Sequence, residues 1–226
     1  LAAPGQTAPE MLSQLRAQGP VDEIDCSGLV IAPGFIDVHT HDDAAAIEKA
    51  DMLPKISQGV TTVIVGNCGI SLAPMVTDTP PAPLSLLGRG QFRHATMRAY
   101  AEAVNAARPA VNVAALLGHT ALRMRHMPVL DRAANAAQRA AMAADMQEAM
   151  DAGALGLSSG VFYEEAFAAD VGELVAVASV AARNGGVFAT HIRDQLAGLL
   201  PALQEAALTA RQSGLPLVIS HHKCAG

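Results

Sequence analysis

Six near-continuous apolar runs, each closing on polar residues, constrain this chain more than any other feature. They cover residues 34–41, 60–69, 111–119, 154–160, 186–193 and 216–223. Their β-branched character suits strands covered on both faces, which means a parallel sheet. Between them lie helical patterns at 44–57, 96–108, 135–151, 171–184 and 196–213, many of them rich in Ala. Gly59, Gly153, Gly185 and Gly214 stand where helices stop. Strands and helices alternating at this spacing make βαβ units with right-handed crossovers. A closed barrel of this kind takes eight units in about 250 residues, with its chemistry on the loops after each strand. The chain has 226 residues and six candidate units. It reads as an α/β protein, an incomplete TIM-like (β/α)8 barrel over residues 33–226.

Two segments fall outside the repeat. Residues 1–32 hold one short polar helical stretch and a weak alternation over 21–31, which reads as the remnant of a small β-domain and a linker. Residues 73–92 carry Pro74, Pro80, Pro81 and Pro83 with Gly88 and Gly90, and read as a long loop beside a site.

Composition narrows the class. An apolar share of 51% with a net charge of −6 excludes a disordered chain. No apolar run approaches the roughly 20 residues that span a bilayer. Scattered Lys and Arg make no basic stripe, which argues against nucleic acid as partner. Cys26, Cys68 and Cys224 cannot build a disulfide framework, and no signal region follows Leu1. A cytoplasmic, reducing setting is the expectation.

Polar residues gather at the strand ends. His39 and His41 close the first run; residues i and i+2 of a strand share a face, so both imidazoles can reach one metal. A bare His-x-His is also a common pair of surface histidines. Cys68 closes the second run between Gly66 and Gly69, where it is either an inert core thiol or a soft thiolate ligand suited to zinc. His191 closes the fifth run and His221-His222-Lys223 the sixth. Neighbours on a strand face opposite ways, so one of His221 and His222 points inward. His119 ends the third run and either touches substrate or bonds a loop carbonyl. His94 and His126 read as exposed loop residues. Arg123 and Arg193 are candidate carboxylate partners. Asp42 reads as a cap for the following helix.

The stretch Pro33-Gly34-Phe35-Ile36-Asp37-Val38-His39-Thr40-His41 resembles the first-strand signature of the amidohydrolase superfamily. Most of its members bridge their metals with a carboxylated Lys on the fourth strand. Here that strand reads Gly156-Leu157-Ser158-Ser159-Gly160, with no Lys. That absence, together with Cys68, is similar to the branch of N-acyl-D-amino-acid deacylases. The resemblance implies zinc-dependent hydrolysis of N-acyl-D-amino acids, releasing a carboxylate and a D-amino acid. It implies Cys68, His191 and His221 as ligands of a tight zinc, with His39 and His41 able to supply a second, weaker site. It favours His221 over His222, and it gives Tyr163 a hydrogen bond to substrate; Arg193 and His119 stand beside it as candidate substrate contacts read from the residues themselves. It assigns proton transfer to an Asp at the end of an eighth strand, which this chain lacks. The expectation is therefore a fragment of a longer enzyme, with open barrel edges that invite self-association. Two other readings stand beside it: a cyclic-amide hydrolase of the dihydroorotase or hydantoinase kind, and a metal-binding fragment without turnover.

Overall fold

The computed structural model describes residues 7–22 and 24–221. It divides into two units, Leu1–Pro33 and Gly34–Gly226. The first holds α1 (Ala8–Gln18), opened by a capping box between Thr7 and Glu10. The described residues of 21–31 form no strand, contrary to the weak alternation. Leu29, Val30 and Ile31 are exposed, and a strand without a paired neighbour has no ladder to join.

The second unit runs β1 (Phe35–Asp37), α2 (Ala45–Glu48), α3 (Leu53–Ile56), β2 (Val60–Val65), β3 (Met75–Thr77), β4 (Phe92–His94), α4 (Met97–Ala107) and β5 (Asn112–Gly118). It continues with α5 (His119–His126), α6 (Ala136–Asp151), β6 (Gly156–Gly160), α7 (Glu164–Phe167), α8 (Val171–Arg183), β7 (Val187–His191), α9 (Leu199–Ser213) and β8 (Leu217–Ser220). Six strands pair in parallel in the order β1-β2-β5-β6-β7-β8, so the sheet grows in chain order and curls into part of a TIM-like barrel. No helix among the described residues is long and apolar enough to cross a membrane.

The core lies between this sheet and its helices. Val63, Val65, Leu117, Leu157 and Phe188 meet Leu122, Met142, Met146, Val177 and Ala178, all essentially inaccessible. Small Ala side chains on α6 and α8 let these two helices pack closely on each other, with α8 against β6 and β7. The predicted stops also appear, with Gly59, Gly153, Gly185 and Gly214 all at positive φ, where glycine pays no steric penalty.

Several expectations give way. Residues 44–57 form two short helices: Lys49 leaves the helical region after Glu48, Met52 is left-handed, and Pro54 suits the first turn of the second helix. The stretch 73–92 is no plain loop: β3 and β4 pair antiparallel around a 3₁₀ turn at Leu84–Leu87. Residues 119–126, read as a strand end and a loop, form α5. His94 lies on β4 against the ring of Tyr100, 5.4 Å between centroids, and His126 bonds Asp145 Oδ2 at 2.7 Å.

At α6, Asn135 accepts from Gln138 N–H while Gln138 accepts from Asn135 N–H, both at 2.9 Å. Asn135→Ala removes half of this reciprocal cap and is expected to cost about 1 kcal/mol, read as a lower urea midpoint at unchanged slope.

Candidate metal centre

Every donor of the site stands at the carboxyl end of a strand. His39 and His41 follow β1, held there by local charge. Asp37 accepts the His39 N–H at 3.2 Å, and Lys55 pairs with Asp37 at 2.7 Å and Asp42 at 2.9 Å. Asp42 is thus bound to Lys55 and to the Thr40 hydroxyl, and α2 has no side-chain cap. The capping role read from sequence is replaced by an ion pair that steadies the His-x-His segment.

Cys68 sits in a tight turn after β2. Ile70 N–H donates to Asn67 O at 2.9 Å, and the two central residues, Cys68 (φ 56°) and Gly69 (φ 75°), both lie in the left-handed region. That pattern suits Asn-Gly, and a side chain such as Cys there costs roughly 1–2 kcal/mol. The surroundings leave no space for alternatives: a Cβ on Gly66 would meet Leu116 O at 2.1 Å, and one on Gly160 would meet Cys68 O at 2.1 Å.

The turn carries the buried sulfur to the imidazoles. Cys68 Sγ lies 3.3 Å from His39 Nε2 and 3.2 Å from His221 Nε2. The His191 ring is 4.8 Å from that of His221, and the His41 ring 5.6 Å from that of His39. Donor atoms of His39, His41 and Cys68, and those of Cys68, His191 and His221, lie within 4.8 Å of one another. The sulfur belongs to both triads. Curvature makes this possible: six strands laid flat would set β1 and β8 about 24 Å apart, whereas the His39 and His221 rings meet at 4.3 Å.

Burial and neighbouring imidazoles favour the neutral, ligand form of His39 and His41. Burial, then the neighbouring His221 and His41, lowers His39 to about 4, and burial followed by His221 lowers His41. Burial, then the charge of Cys68 and a hydrogen bond to it, raises the Tyr163 hydroxyl to about 12. Tyr163 therefore faces the cluster as a donor, its ring 5.3 Å from that of His191. Phe162 stacks on His191 at 4.9 Å, and Gln195 Nε2 is 3.0 Å from His191 Nε2.

This donor set fits zinc. One thiolate with imidazoles at 3.2–3.3 Å from it matches a small ion with bonds of about 2.0–2.3 Å. His41 Nδ1 is buried and has no hydrogen-bond partner.

Three further candidates stand elsewhere. His119 is fully buried, its Nε2 2.9 Å from Glu173 Oε1, so it offers no surface to a substrate. Arg123 is fully buried too, with donors on Glu173, Glu165 O, Leu130 O and Arg132 O. Arg193 makes a two-point pair with Glu205 and donates to Phe167 O and Ala169 O, which leaves its guanidinium committed inside the fold. His222 and Cys224 lie outside the described residues. Sequence reasoning passed over Ser158, Gln195 and Glu173, since a small polar residue in a strand and an acid in a helix carry no local signal.

Residues 22–223 match the profile described as "Amidohydrolase family". The chain is 48% identical to a D-aminoacylase of Alcaligenes xylosoxydans xylosoxydans over 90% of its own length and 42% of that protein's. It is 49% identical to an N-acyl-D-aspartate deacylase of the same organism, over 91% of itself and 42% of the relative. Among solved structures, the N-acyl-D-glutamate deacylase of Bordetella bronchiseptica, complexed with zinc and a phosphonate inhibitor, superposes with a TM-score of 0.81 at 44% identity. It covers 85% of this chain and 41% of that one. The chain thus spans about two-fifths of the length of these proteins.

Proposed function

The chain belongs to the amidohydrolase family, and on that premise we propose that it forms the metal-holding part of a zinc-dependent deacylase of N-acyl-D-amino acids. The observation that carries the reading is one sulfur, Cys68 Sγ, set between imidazoles from opposite ends of the sheet. Cys68, His191 and His221 hold the tighter zinc, and His39 and His41 form a second site on the same sulfur. The relative solved with zinc supports a metal as cofactor. When bound there, zinc supplies Lewis acidity, polarising a carbonyl and lowering the pKa of water towards about 7.

The chain's own residues set the stage. Neutral His39 and His41 present lone pairs instead of competing protons. Tyr163, protonated at neutral pH, donates to the carboxylate or amide of the substrate. Phe162, exposed at the mouth, gives the site an apolar wall. The described residues form six barrel strands, so the proton-transferring Asp expected at the end of an eighth is not among them. A reducing compartment such as the cytoplasm suits a thiolate ligand.

β6 has no Lys at any position, which favours linear amides over the cyclic-amide reading. The test is hydrolysis, by the zinc-loaded full-length enzyme of which this chain is the proposed metal-holding part, of N-acetyl-D-amino acids, their L enantiomers and cyclic ureides. Release of D-amino acids alone is expected. Comparable rates on the L series, or ureide opening, overturns the substrate assignment, and bound zinc without turnover leaves a metal-holding scaffold.

A further inference from the structure

The strained turn at Cys68, closed by Ile70 N–H on Asn67 O, is also held from outside. Gly66 O, just before the turn, and Gly69 N–H, within it, both meet one hydroxyl: Ser158 Oγ donates to Gly66 O and accepts from Gly69 N–H at 3.0 Å. Ser158 is fully buried on β6, and both its hydrogen-bonding roles are used on this one turn. A second serine, Ser71, accepts Gly118 N–H at 3.0 Å and fixes the downstream end to β5.

Left-handed conformations of side chains other than Gly persist only where neighbours over-determine them, and they gather at functional sites. Cys68 and Gly69 at positive φ form such a place, and Ser158 is the group that spans it. We propose that the Ser158 hydroxyl is a positioning residue for metal binding: it latches Gly66 and Gly69, on either side of Cys68, to β6 so that Cys68 Sγ points at His39 and His221. The latch rests on the zinc-site reading given above. It also gives a role to the strand on which other amidohydrolases carry their bridging Lys. In this chain the strand delivers no ligand of its own and instead aims the ligand supplied by β2.

The test loads the protein with Co(II) and follows the near-ultraviolet thiolate-to-cobalt charge-transfer band together with metal affinity from competition with a chelator. Ser158→Ala is expected to weaken the band and to lower affinity roughly 10–100-fold, the range for losing a partner that orients a ligand. Ser159→Ala is the control, since Ser159 Oγ bonds Thr190 Oγ1 at 2.8 Å and does not touch the turn. Its band is expected to stay native. A native band and native affinity in Ser158→Ala, even with reduced thermal stability, overturn the latch. Should Ser158→Ala fail to fold, Ser158→Thr decides: it keeps the hydroxyl, so a native band supports the latch and a lost band overturns it. Cys68→Ala separates the two levels. If the parent protein shows no such band, or if Cys68→Ala retains it, the zinc-site reading itself has failed.

Discussion

Cys68→Ala is expected to empty both metal positions at once. Structural zinc sites in small peptides bind with roughly 10–16 kcal/mol in apparent terms across four ligands, so one ligand carries about 3 kcal/mol, or around two orders of magnitude in affinity. Cys68 exceeds an ordinary ligand here because its sulfur serves both triads. His41→Ala touches one triad only and is expected to leave the tighter zinc in place. Metal content after dialysis, measured on the two variants side by side, checks this. Equal zinc retention in Cys68→Ala and the parent protein contradicts the shared-sulfur arrangement.

Glu173→Ala is expected to produce the largest loss of stability away from the metal. Glu173 and Arg123 are both fully buried and lie 2.6 Å apart, while His119 and the Ala134 N–H take the remaining carboxylate capacity. Removing the acid strands a guanidinium in the interior, which costs about 3–5 kcal/mol, on the order of 10 °C in Tm for a unit of this size. The same residue sets a pH dependence. Burial alone would raise the carboxyl, but His119, the Ala134 N–H and Arg123 together bring it from an ordinary 4.5 to about 2. A depressed folded pKa gives stability that is complete above the unfolded value. That stability is lost as pH falls from about 4.5 towards about 2. Urea midpoints through this range should therefore fall more steeply in the parent than in Glu173→Ala. A variant within 1 kcal/mol of the parent at pH 7 would remove the network from the account.

The strands and their terminal histidines were legible because β-branched runs report buried parallel strands and because polar residues repeat at their ends. The resemblance at residues 33–41 then joined Cys68 to His191 and His221. Helix α5 was hidden because it starts directly at the end of β5, with no linker, and its eight residues barely exceed two turns. Arg123 looked like rim charge because its counter-charge is 50 positions away. The pairing of Arg193 was hidden for a similar reason: Glu205, which takes its guanidinium, lies 12 residues on. Ser158 gave no sign of its task, since its two partners lie 89 and 92 residues upstream. Such facts belong to the folded chain and not to any window of sequence.

The curl of the sheet has an energetic corollary. An ion gripped jointly by side chains from the ends of β2, β7 and β8 works as a clasp on a hoop. It binds only while the hoop is bent, and so it favours bending. Mass action fixes the size of this effect, about 4 kcal/mol when free zinc stands a thousandfold above its dissociation constant. The shape of the whole sheet then answers to the concentration of a single dissolved cation.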